Sequence, residues 1–425
     1  MSTLVAPEAS AATTLRPNPL VCRLCKTPAE AAPVAICEHC LGPLDPAPNP
    51  ERALPSRETI ESRDKSLWRY KEWLPFEGDP VLSLDTGFTP LVEAPRLAKL
   101  LGVAKCWIKN DSVSHPTLSF KDRVVATAIN AAHAFGLDTI GCASTGNLAN
   151  AVAAHAARAG LKAWIFIPDD LEQGKVVGTQ IYNPNLVRIK GTYDDVNRLC
   201  AQVADHFGWG IVNVNLRGYY GEGSKTLAFE IAEQLGWRLP TAVVAPMAGG
   251  SLVTKLRKGF REFTEAGLVS GTAPRIYGTQ AAGCAPIVNL VQKDLAAIEP
   301  VLPNTIARSI AIGNPADGLF AKRAILETGG YAAGVSEESI VDGIRTLARE
   351  SGIFTETAGG VTVAGALQLA QEGRFTPDDE IVLCVTGNGL KTIEAVTDPA
   401  LRPLPDAPVI APRLKEVKAL VEATR

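Results

Sequence analysis

Short apolar segments recur along most of the chain, and helical patterns separate most of them. Segments of this length and composition are typical of strands that are buried on both faces. They lie at 106–109, 139–143, 163–167, 186–189, 211–214, 242–245, 276–280 and 381–385. Strands that alternate with helices form parallel sheets, because each crossover has room for a helix that covers a face. The alternation therefore predicts an α/β fold whose parallel sheets carry helices on both faces.

Composition narrows the class of protein. The 425 residues are 46% hydrophobic and 20% charged, which predicts a soluble globular protein with a sizeable core. The formal net charge of -3 gives no attraction for nucleic acid or an anionic membrane surface. No apolar run approaches the ~18 residues of a membrane-spanning helix. We therefore expect neither nucleic acid nor membrane as a partner.

The two ends of the chain carry weaker patterns. Residues 1–19 are rich in Ala, Ser and Thr, with no basic residue before Arg16, so we expect no signal peptide. Residues 1–17 are predicted to form a disordered tail, and a cytoplasmic enzyme fits this pattern. Residues 413–424 are predicted to form a last surface helix.

Four of the nine cysteines form two Cys-x-x-Cys pairs near the N-terminus. They are Cys22, Cys25, Cys37 and Cys40. Each pair can hold one ion from a tight turn, so four thiolates would complete a tetrahedral structural zinc site. Two disulfides are the alternative, but the five other cysteines argue against an oxidising compartment. Those five lie in apolar surroundings and are predicted to be core residues: Cys106, Cys142, Cys200, Cys284 and Cys384.

Lys121 stands between a predicted strand and a helical pattern that runs up to Gly136. It therefore lies just inside a helix N-terminus, where the helix dipole disfavours a positive charge. If Lys121 were also desolvated, its neutral amine could form a Schiff base with an aldehyde. A solvated first-turn lysine is the alternative, and for a lone lysine it would be the better interpretation.

Three further loops follow predicted strands, at the edge where an open parallel sheet binds ligands. Ser144, Thr145 and Asn147 begin a helix whose N–H groups, hydroxyls and amide suit an anion such as a carboxylate. An ordinary helix cap explains this loop equally well. In the third loop, Thr386 could bond a ring nitrogen, or simply belong to a strand-to-helix turn.

The second of these loops contains two adjacent glycines. It consists of Ala248, Gly249, Gly250 and Ser251. Glycines let a backbone approach a ligand closely, and the helix that follows favours phosphate at its N-terminus. The dinucleotide pattern G-x-G-x-x-G is missing, which disfavours a nicotinamide cofactor.

Taken together, these stretches resemble the fold-type II pyridoxal-phosphate enzymes, the group built like the tryptophan synthase β chain. Within that group the chain most closely resembles the threonine synthases, some of which carry an N-terminal zinc knuckle pair. The resembling stretches occur in family order between residues 86 and 395, at 115–123, 143–147, 223–230, 312–316, 352–356 and 385–391.

The resemblance implies an architecture. Two α/β domains with parallel sheets would enclose the active site between them, beside a small N-terminal zinc ribbon. The ribbon would span 18–50, the large cofactor-binding domain 51–125 and 226–425, and the small domain 126–225. Homodimers are common for this fold.

The resemblance also implies roles for individual residues. Lys121 would form the Schiff base with pyridoxal 5'-phosphate, Phe120 would flank the ring, and Asn147 would contact its hydroxyl. The 248–251 loop would hold the cofactor phosphate and Thr386 would face the ring nitrogen. Ser144 and Thr145 would bind the carboxylate of an amino-acid substrate. Candidates for a substrate phosphate are Asn215, Arg217, Lys225 and Arg123, the last of which could equally be a salt-bridged structural residue.

The activity implied is conversion of O-phospho-L-homoserine and water to L-threonine and phosphate. A threonine dehydratase, or a phosphoserine-using synthase similar to cysteate synthase, is the alternative within the same fold. A non-catalytic pyridoxal-phosphate carrier or a zinc-ribbon scaffold is the alternative outside enzymes. The carboxylate-binding loop 144–147 argues against a carrier, which would have no use for it.

Overall fold

A computed structural model describes residues 15–401 and 403–423. Its strands are β1 (Arg16–Pro17), β2 (Leu20–Cys22), β3 (Pro28–Ala29), β4 (Leu44–Pro46), β5 (Phe76–Glu77), β6 (Leu91–Glu93), β7 (Lys105–Asn110), β8 (Thr139–Ala143), β9 (Lys162–Pro168), β10 (Asn185–Ile189), β11 (Gly210–Ile211), β12 (Ala242–Pro246), β13 (Arg275–Ala281), β14 (Ala332–Val335) and β15 (Glu380–Val385).

The helices of the same residues are α1 (Arg57–Glu61), α2 (Pro95–Leu101), α3 (Lys121–Ala134), α4 (Asn147–Ala159), α5 (Gln173–Gln180), α6 (Tyr193–Phe207), α7 (Arg217–Glu222), α8 (Thr226–Gln234), α9 (Ser251–Glu265), α10 (Pro286–Gln292), α11 (Gly318–Glu327), α12 (Glu337–Ser351), α13 (Thr357–Gln371), α14 (Glu394–Thr397) and α15 (Leu414–Ala423). Short 3-10 helices lie at Leu67–Trp73, Asp111–Val113, Gly223–Lys225, Ala282–Cys284, Arg308–Ile310, Gly389–Lys391 and Pro399–Leu401.

Two sheets form the body of the protein. The larger has the order β14-β13-β12-β15-β7-β6, and its strands are parallel except for β6, which runs antiparallel to β7 at the edge. The smaller sheet, β10-β9-β8-β11, is parallel throughout. The predicted α/β architecture with parallel sheets is confirmed.

Side chains of β12 show that helices cover both faces of the larger sheet. Every residue of β12 is buried. Val244 packs in one apolar cluster with Leu347 of α12 and Val363 of α13. Val243, which points to the opposite face of the strand, packs in another cluster with Leu256 of α9. Burial on both faces explains why these strands are continuous apolar runs in the sequence.

In the two large sheets, one predicted strand is shorter than expected and two strands were not predicted. The predicted strand 211–214 shrinks to β11, because the chain turns directly afterwards and Asn215 Oδ1 accepts the N–H of Ile211 at 2.7 Å. β6 and β14 were missed. β6 is a three-residue edge strand, and β14 has the weak strand sequence Ala-Ala-Gly-Val.

Two of the predicted domain boundaries do not fall inside loops. The predicted boundary after residue 125 falls inside α3, and the one after residue 225 falls directly before α8. The larger sheet takes its strands from 91–110 and 242–385, and the smaller from 139–211. The division into a large and a small domain stays a prediction.

The N-terminal segment is more ordered than predicted. Residues 1–14 of the expected disordered tail lie outside the described residues. Arg16 and Pro17, also assigned to that tail, instead form β1, which pairs antiparallel with β5. The expectation of disorder is therefore wrong for those two residues.

The lobe of β2, β3 and β4 does not stand apart from the body, although the sequence suggested a separate unit. Tyr219 of α7 donates its hydroxyl to the carbonyl of Asn18 at 2.9 Å. A Cβ added to Gly218 of α7 would lie 2.9 Å from the carbonyl oxygen of Leu44, so the lobe packs directly on that helix. We call residues 18–46 the cysteine lobe.

Candidate active site

Lys121 is the first residue of α3, as the sequence predicted. The loop before it is attached to the loop after β15, because Phe120 N–H donates to the carbonyl of Thr386 at 2.9 Å and Ser119 pairs with Gly387. Lys121 Nζ donates to the hydroxyl of Tyr220 at 3.1 Å. These contacts hold the amine of Lys121 in the wall of an open cavity.

The cavity beside Lys121 has a volume of about 590 Å³ and gathers residues from four separate loops. All eight residues predicted to bind the cofactor line it: Phe120, Lys121, Asn147, Ala248, Gly249, Gly250, Ser251 and Thr386. We call this cavity the Thr386 chamber. The sequence separation of these residues shows that the fold, not local sequence, brings them together.

The 248–251 loop offers unused hydrogen-bond donors to this chamber. α9 begins at Ser251, after Gly250 with φ of 91°, and no side chain caps its N-terminus. Its first N–H groups are therefore available to an anion, and the helix dipole favours one there. A Cβ added to Gly249 would meet only Ile312 Cδ1, at 3.9 Å, and would otherwise occupy the open space of the chamber. The donors and the space both fit a phosphate group.

Asn147 is fixed on the chamber wall by two charged residues. Its Nδ2 donates to Glu356 Oε1 at 2.7 Å, and its Oδ1 accepts from Lys391 Nζ at 3.1 Å. Burial lowers the pKa of Lys391 to about 8, although Glu356 favours its charged form. Sequence reasoning assigned no role to Glu356 or Lys391. Their positions could have indicated one, because each is a charged residue inside a resembling stretch, at 352–356 and 385–391.

A second cavity of about 810 Å³ lies on the other side of Lys121. It contains three of the predicted substrate residues, Ser144, Thr145 and Arg217, and we call it the Arg217 chamber. The two chambers are continuous, since they share these lining residues: Lys121, Tyr220, Ala248, Gly249, Ser251 and Ser309.

Some polar side chains of the Arg217 chamber already have hydrogen-bond partners in the protein, and others remain available to a ligand. Ser144 Oγ accepts the N–H groups of Gly146 and Ala149, so it caps the start of α4, the alternative that the sequence left open. Thr145 Oγ1 donates to the carbonyl of Ser309 at 3.1 Å. Within the described residues, the buried hydroxyl of Ser309 has no hydrogen-bond partner, which leaves it free for a ligand.

Two substrate predictions are corrected by the structure. Lys225 does not line either chamber; its buried Nζ pairs with Glu222 at 2.6 Å and with Glu262 at 2.9 Å. The side-chain amide of Asn215 is hydrogen-bonded to the backbone, because its Oδ1 accepts from Ile211 N and its Nδ2 donates to Trp209 O. Both residues hold the local fold together.

Arg123, for which two roles were open, is a structural residue. Its guanidinium is completely buried and bonds both Asp111 and Glu230. No part of it reaches either chamber in the part of the chain that the structure describes. Of the cationic candidates for a substrate phosphate, Arg217 alone lines the Arg217 chamber.

Sequence reasoning missed several polar residues of the site. They are Tyr193, Asp194, Asn197, Asn213, Tyr220, Ser309, Asn314 and Asp317. Tyr220 follows Arg217 by three residues on α7, a spacing that places both side chains on one face of a helix and could have indicated it. Asn314 lies in a resembling stretch that was given no role.

The four N-terminal cysteines form a compact cluster, with all Sγ atoms within 4.8 Å of one another. The Cys22–Cys40 and Cys25–Cys37 pairs are separated by 3.4 Å and 3.7 Å. A disulfide needs about 2.05 Å, so the alternative of two disulfides is wrong. Zn–S bonds of about 2.3 Å in a tetrahedron place sulfurs about 3.8 Å apart, which fits this donor set. The other five cysteines are buried, as predicted.

Comparison with known proteins agrees with this geometry. The family model for pyridoxal-phosphate dependent enzymes matches residues 82–387. A threonine synthase of Methanocaldococcus jannaschii is 36% identical over 82% of this chain and 86% of its own length. One from Methanosarcina acetivorans is 35% identical over 86% of this chain and 90% of its own length.

Solved structures share the fold at lower identity. Maize serine racemase superposes with a TM-score of 0.59 at 20% identity, over 71% of this chain and 89% of its own. Threonine deaminase isoform 2 of Solanum lycopersicum gives 0.59 at 21% identity, over 79% of this chain and 83% of its own. The chain belongs to the pyridoxal-phosphate dependent enzymes and, within them, to the threonine synthase family.

Proposed function

We propose that the protein converts O-phospho-L-homoserine and water to L-threonine and phosphate. The reaction removes phosphate from Cγ of the substrate and places a hydroxyl on Cβ. The curated relatives support this proposal, since threonine synthases from three different organisms are 35–37% identical over 81–86% of this chain. The observation that carries it is the pair of continuous chambers at Lys121, one with a phosphate cradle and one with Arg217.

Pyridoxal phosphate fits the Thr386 chamber. The uncapped start of α9 and the open space at Gly249 would receive its phosphate. Phe120, Asn147 and Thr386 would surround its ring, and Lys121 would carry it covalently. When bound, the cofactor withdraws electrons from the substrate's Cα and so makes the adjacent C–H bonds acidic.

The chain's own residues then supply binding and proton transfer. The substrate carboxylate would bind at the 144–147 loop, where Ser144 Oγ caps α4 only as an acceptor and can still donate its hydrogen, and where the remaining N–H groups at the start of α4 favour an anion. Thr145 lines the same chamber with its hydroxyl already donated to the carbonyl of Ser309. This placement would point the substrate's side chain along the Arg217 chamber. Once the substrate's amine has replaced it on the cofactor, Lys121 Nζ would be free to accept the proton from Cα and to return it later, as general base and acid. Tyr220, 3.1 Å from that amine, holds it in position by a hydrogen bond.

Arg217 decides between this reaction and that of a dehydratase. A γ-phosphate extends several bonds beyond the carboxylate, and its charge requires a cation in a closed site. A threonine side chain carries no charge and would leave the guanidinium without a partner on the substrate. The Arg217 chamber therefore favours a phosphorylated substrate.

Product analysis with three substrates in parallel tests the proposal. Incubation with O-phospho-L-homoserine should release phosphate and L-threonine in equal amounts. O-phospho-L-serine, shorter by one carbon, and L-threonine should each react at least about tenfold more slowly, a difference of about 1.4 kcal/mol in activation energy. Rapid deamination of L-threonine without phosphate release from phosphohomoserine would assign the protein to the dehydratases.

We propose that the cysteine cluster holds one structural zinc ion. Metal analysis of the purified protein should give about one equivalent, since four thiolates complete one tetrahedral site. Cys25→Ser should lower the zinc content and the unfolding temperature, because zinc binding supplies the folding energy of such a small lobe. Cys200→Ser, which changes a buried cysteine far from the cluster, is the control and should keep the zinc. A protein with full zinc after Cys25→Ser would refute the site.

Two further expectations stay predictions. The resemblance implies a homodimer, which sedimentation would check. A cytoplasmic location is expected from the sequence. Within residues 15–401 and 403–423, no helix combines the length and the apolar character that crossing a bilayer needs.

A further inference from the structure

One buried carboxylate joins the cysteine lobe to the Arg217 chamber. Asp317 Oδ2 accepts from Arg217 Nη2 at 2.6 Å, and Asp317 Oδ1 accepts from Arg23 Nη1 at 2.7 Å. The side chain of Asp317 is only 4% exposed. Arg23 belongs to the cysteine lobe, between the ligand pair Cys22 and Cys25, so a residue of the lobe reaches the substrate chamber through one shared partner.

Arg23 is held firmly in this place. Its guanidinium lies 3.7 Å from the centre of the Phe320 ring, close enough for a cation–π interaction. Its Nε lies 3.8 Å from Asp45 Oδ2, and the same oxygen accepts from Lys255 of α9 at 2.8 Å. The side chain of Arg23 is 17% exposed, so solvent competes little for these contacts.

The carboxylate is also tied to the phosphate cradle. The N–H of Asp317 donates to the carbonyl of Gly249 at 3.0 Å. Gly249 belongs to the 248–251 loop and lines both chambers. The backbone of Asp317 is therefore bonded to that loop, while its side chain is bonded to Arg217. A shift of Asp317 would therefore move Arg217 relative to the cradle.

Charge gives Arg23 a second effect. Arg217 and Asp317 alone would form a neutral pair with little attraction for an anion. Arg23 adds a positive charge, and its other acidic neighbour, Asp45, is itself paired more closely with Lys255. The three side chains Arg23, Arg217 and Asp317 together therefore carry a net positive charge. Among the described residues that line the Arg217 chamber, the cations are Lys121 and Arg217, and the acids are Asp194 and Asp317. Without Arg23 the acids would balance the cations.

We propose that Arg23 is a positioning residue for substrate binding: through Asp317 it orients Arg217, so that the N–H groups of the Arg217 guanidinium that do not bond Asp317 can bind the substrate's phosphate. This inference rests on the proposed function, since it concerns the same anionic group. It gives the cysteine lobe a part in substrate affinity. It also means that deleting the lobe would weaken substrate binding, although the cofactor residues all lie downstream.

Five variants of the holoenzyme test the proposal: Arg23→Gln, Arg23→Lys, Arg217→Gln, the double variant of Arg23→Gln with Arg217→Gln, and Arg16→Gln. Arg16 is an exposed arginine of β1 and serves as the matched charge control. Arg23→Gln should raise KM for O-phospho-L-homoserine about tenfold, with a much smaller change in kcat. It should raise the Kd for inorganic phosphate by a similar factor, and Arg23→Lys should restore part of both. Arg16→Gln should change neither constant.

The double variant separates positioning from general destabilisation. If Arg23 acts through Arg217, adding Arg23→Gln to Arg217→Gln should raise KM and Kd little further. A purely structural role predicts the same additional loss in both backgrounds, and that result would overturn the proposal. Zinc content and the visible absorption of bound pyridoxal phosphate should be unchanged in Arg23→Gln.

Three further outcomes are distinguishable. If Arg23→Gln loses zinc, Phe320→Leu is the substitute variant, because it weakens the hold on the Arg23 guanidinium without changing a residue of the cysteine lobe. Phe320→Leu should raise KM about threefold, and no rise would refute the proposal. If Arg217→Gln leaves both KM and phosphate affinity unchanged, the proposed substrate assignment fails. If Arg217→Gln weakens binding and Arg23→Gln does not, only the role of Arg23 fails.

Discussion

Replacing Lys121 with alanine is expected to remove the visible absorption band of lysine-bound pyridoxal phosphate and nearly all turnover. Lys121 is the one lysine that lines both chambers within the described residues, so its amine alone can reach cofactor and substrate. A general base and a covalent attachment are lost together, and general acid–base catalysis by itself is worth about 10²–10⁴ in rate. Absorption spectra and phosphate release from O-phospho-L-homoserine would measure both losses.

Lys391 is the competitor that this experiment must exclude. Burial lowers its pKa to about 8, so a larger share of its amine is neutral at pH 7 than for an ordinary lysine. Its Nζ is engaged with Asn147 Oδ1 and does not line either chamber in the described chain. Borohydride reduction followed by peptide mapping should label Lys121. A label on Lys391, or a band that survives Lys121→Ala, would move the attachment point.

Loops at strand ends were predictable from the sequence because their chemistry is local. A strand that ends in small residues, followed by a helix, offers N–H groups wherever the strand lies in the sheet. Ser144, Gly249 and Thr386 could therefore be chosen without knowledge of the strand order. All three line the chambers beside Lys121.

The direction of a side chain in an irregular turn could not be predicted in the same way. Arg217 and Lys225 stood in one segment and looked equally suited to a phosphate. In the structure Arg217 is the first residue of α7 and Lys225 is the last residue of the 3-10 helix that follows. Lys225 bonds Glu262, a residue 37 positions further along the chain. Asp317 lies 294 positions from Arg23, so that contact left no local pattern either.

A buried charge network supports the start of α3. Lys109 and Arg123 supply two positive charges, and Asp111 and Glu230 supply two negative ones. All four side chains are at most 1% exposed. Glu230 also accepts the N–H groups of Phe88 and Thr89, so one carboxylate connects α8 with α3, β7 and the turn before β6. Arg123 of this network follows Lys121, the proposed catalytic lysine, by two residues.

Glu230→Gln should therefore lower the free energy of unfolding by about 3–5 kcal/mol at pH 7, the usual cost of breaking a buried ion pair. The substitution keeps the shape of the side chain but leaves one buried positive charge without a partner. Glu327→Gln is the control, because its partner Arg257 and Glu327 are 34% and 45% exposed and such pairs contribute about 0–1 kcal/mol. Urea unfolding of both variants beside the unsubstituted protein measures the difference.

The effect of Glu230→Gln on the free energy of unfolding should depend on pH, and the pKa of Glu230 gives the direction of that dependence. Burial alone would raise the pKa of Glu230, but Arg123 and Lys109 lower it to about 2. An unfolded glutamate has a pKa near about 4.3, so ionised Glu230 stabilises the fold fully above that pH and loses the contribution as the pH falls toward 2. The gap between the unsubstituted protein and Glu230→Gln should therefore be largest near neutral pH and should shrink below about pH 4. A gap that stays constant between pH 7 and pH 3 would show that packing at Glu230, not its charge, holds the start of α3 in place.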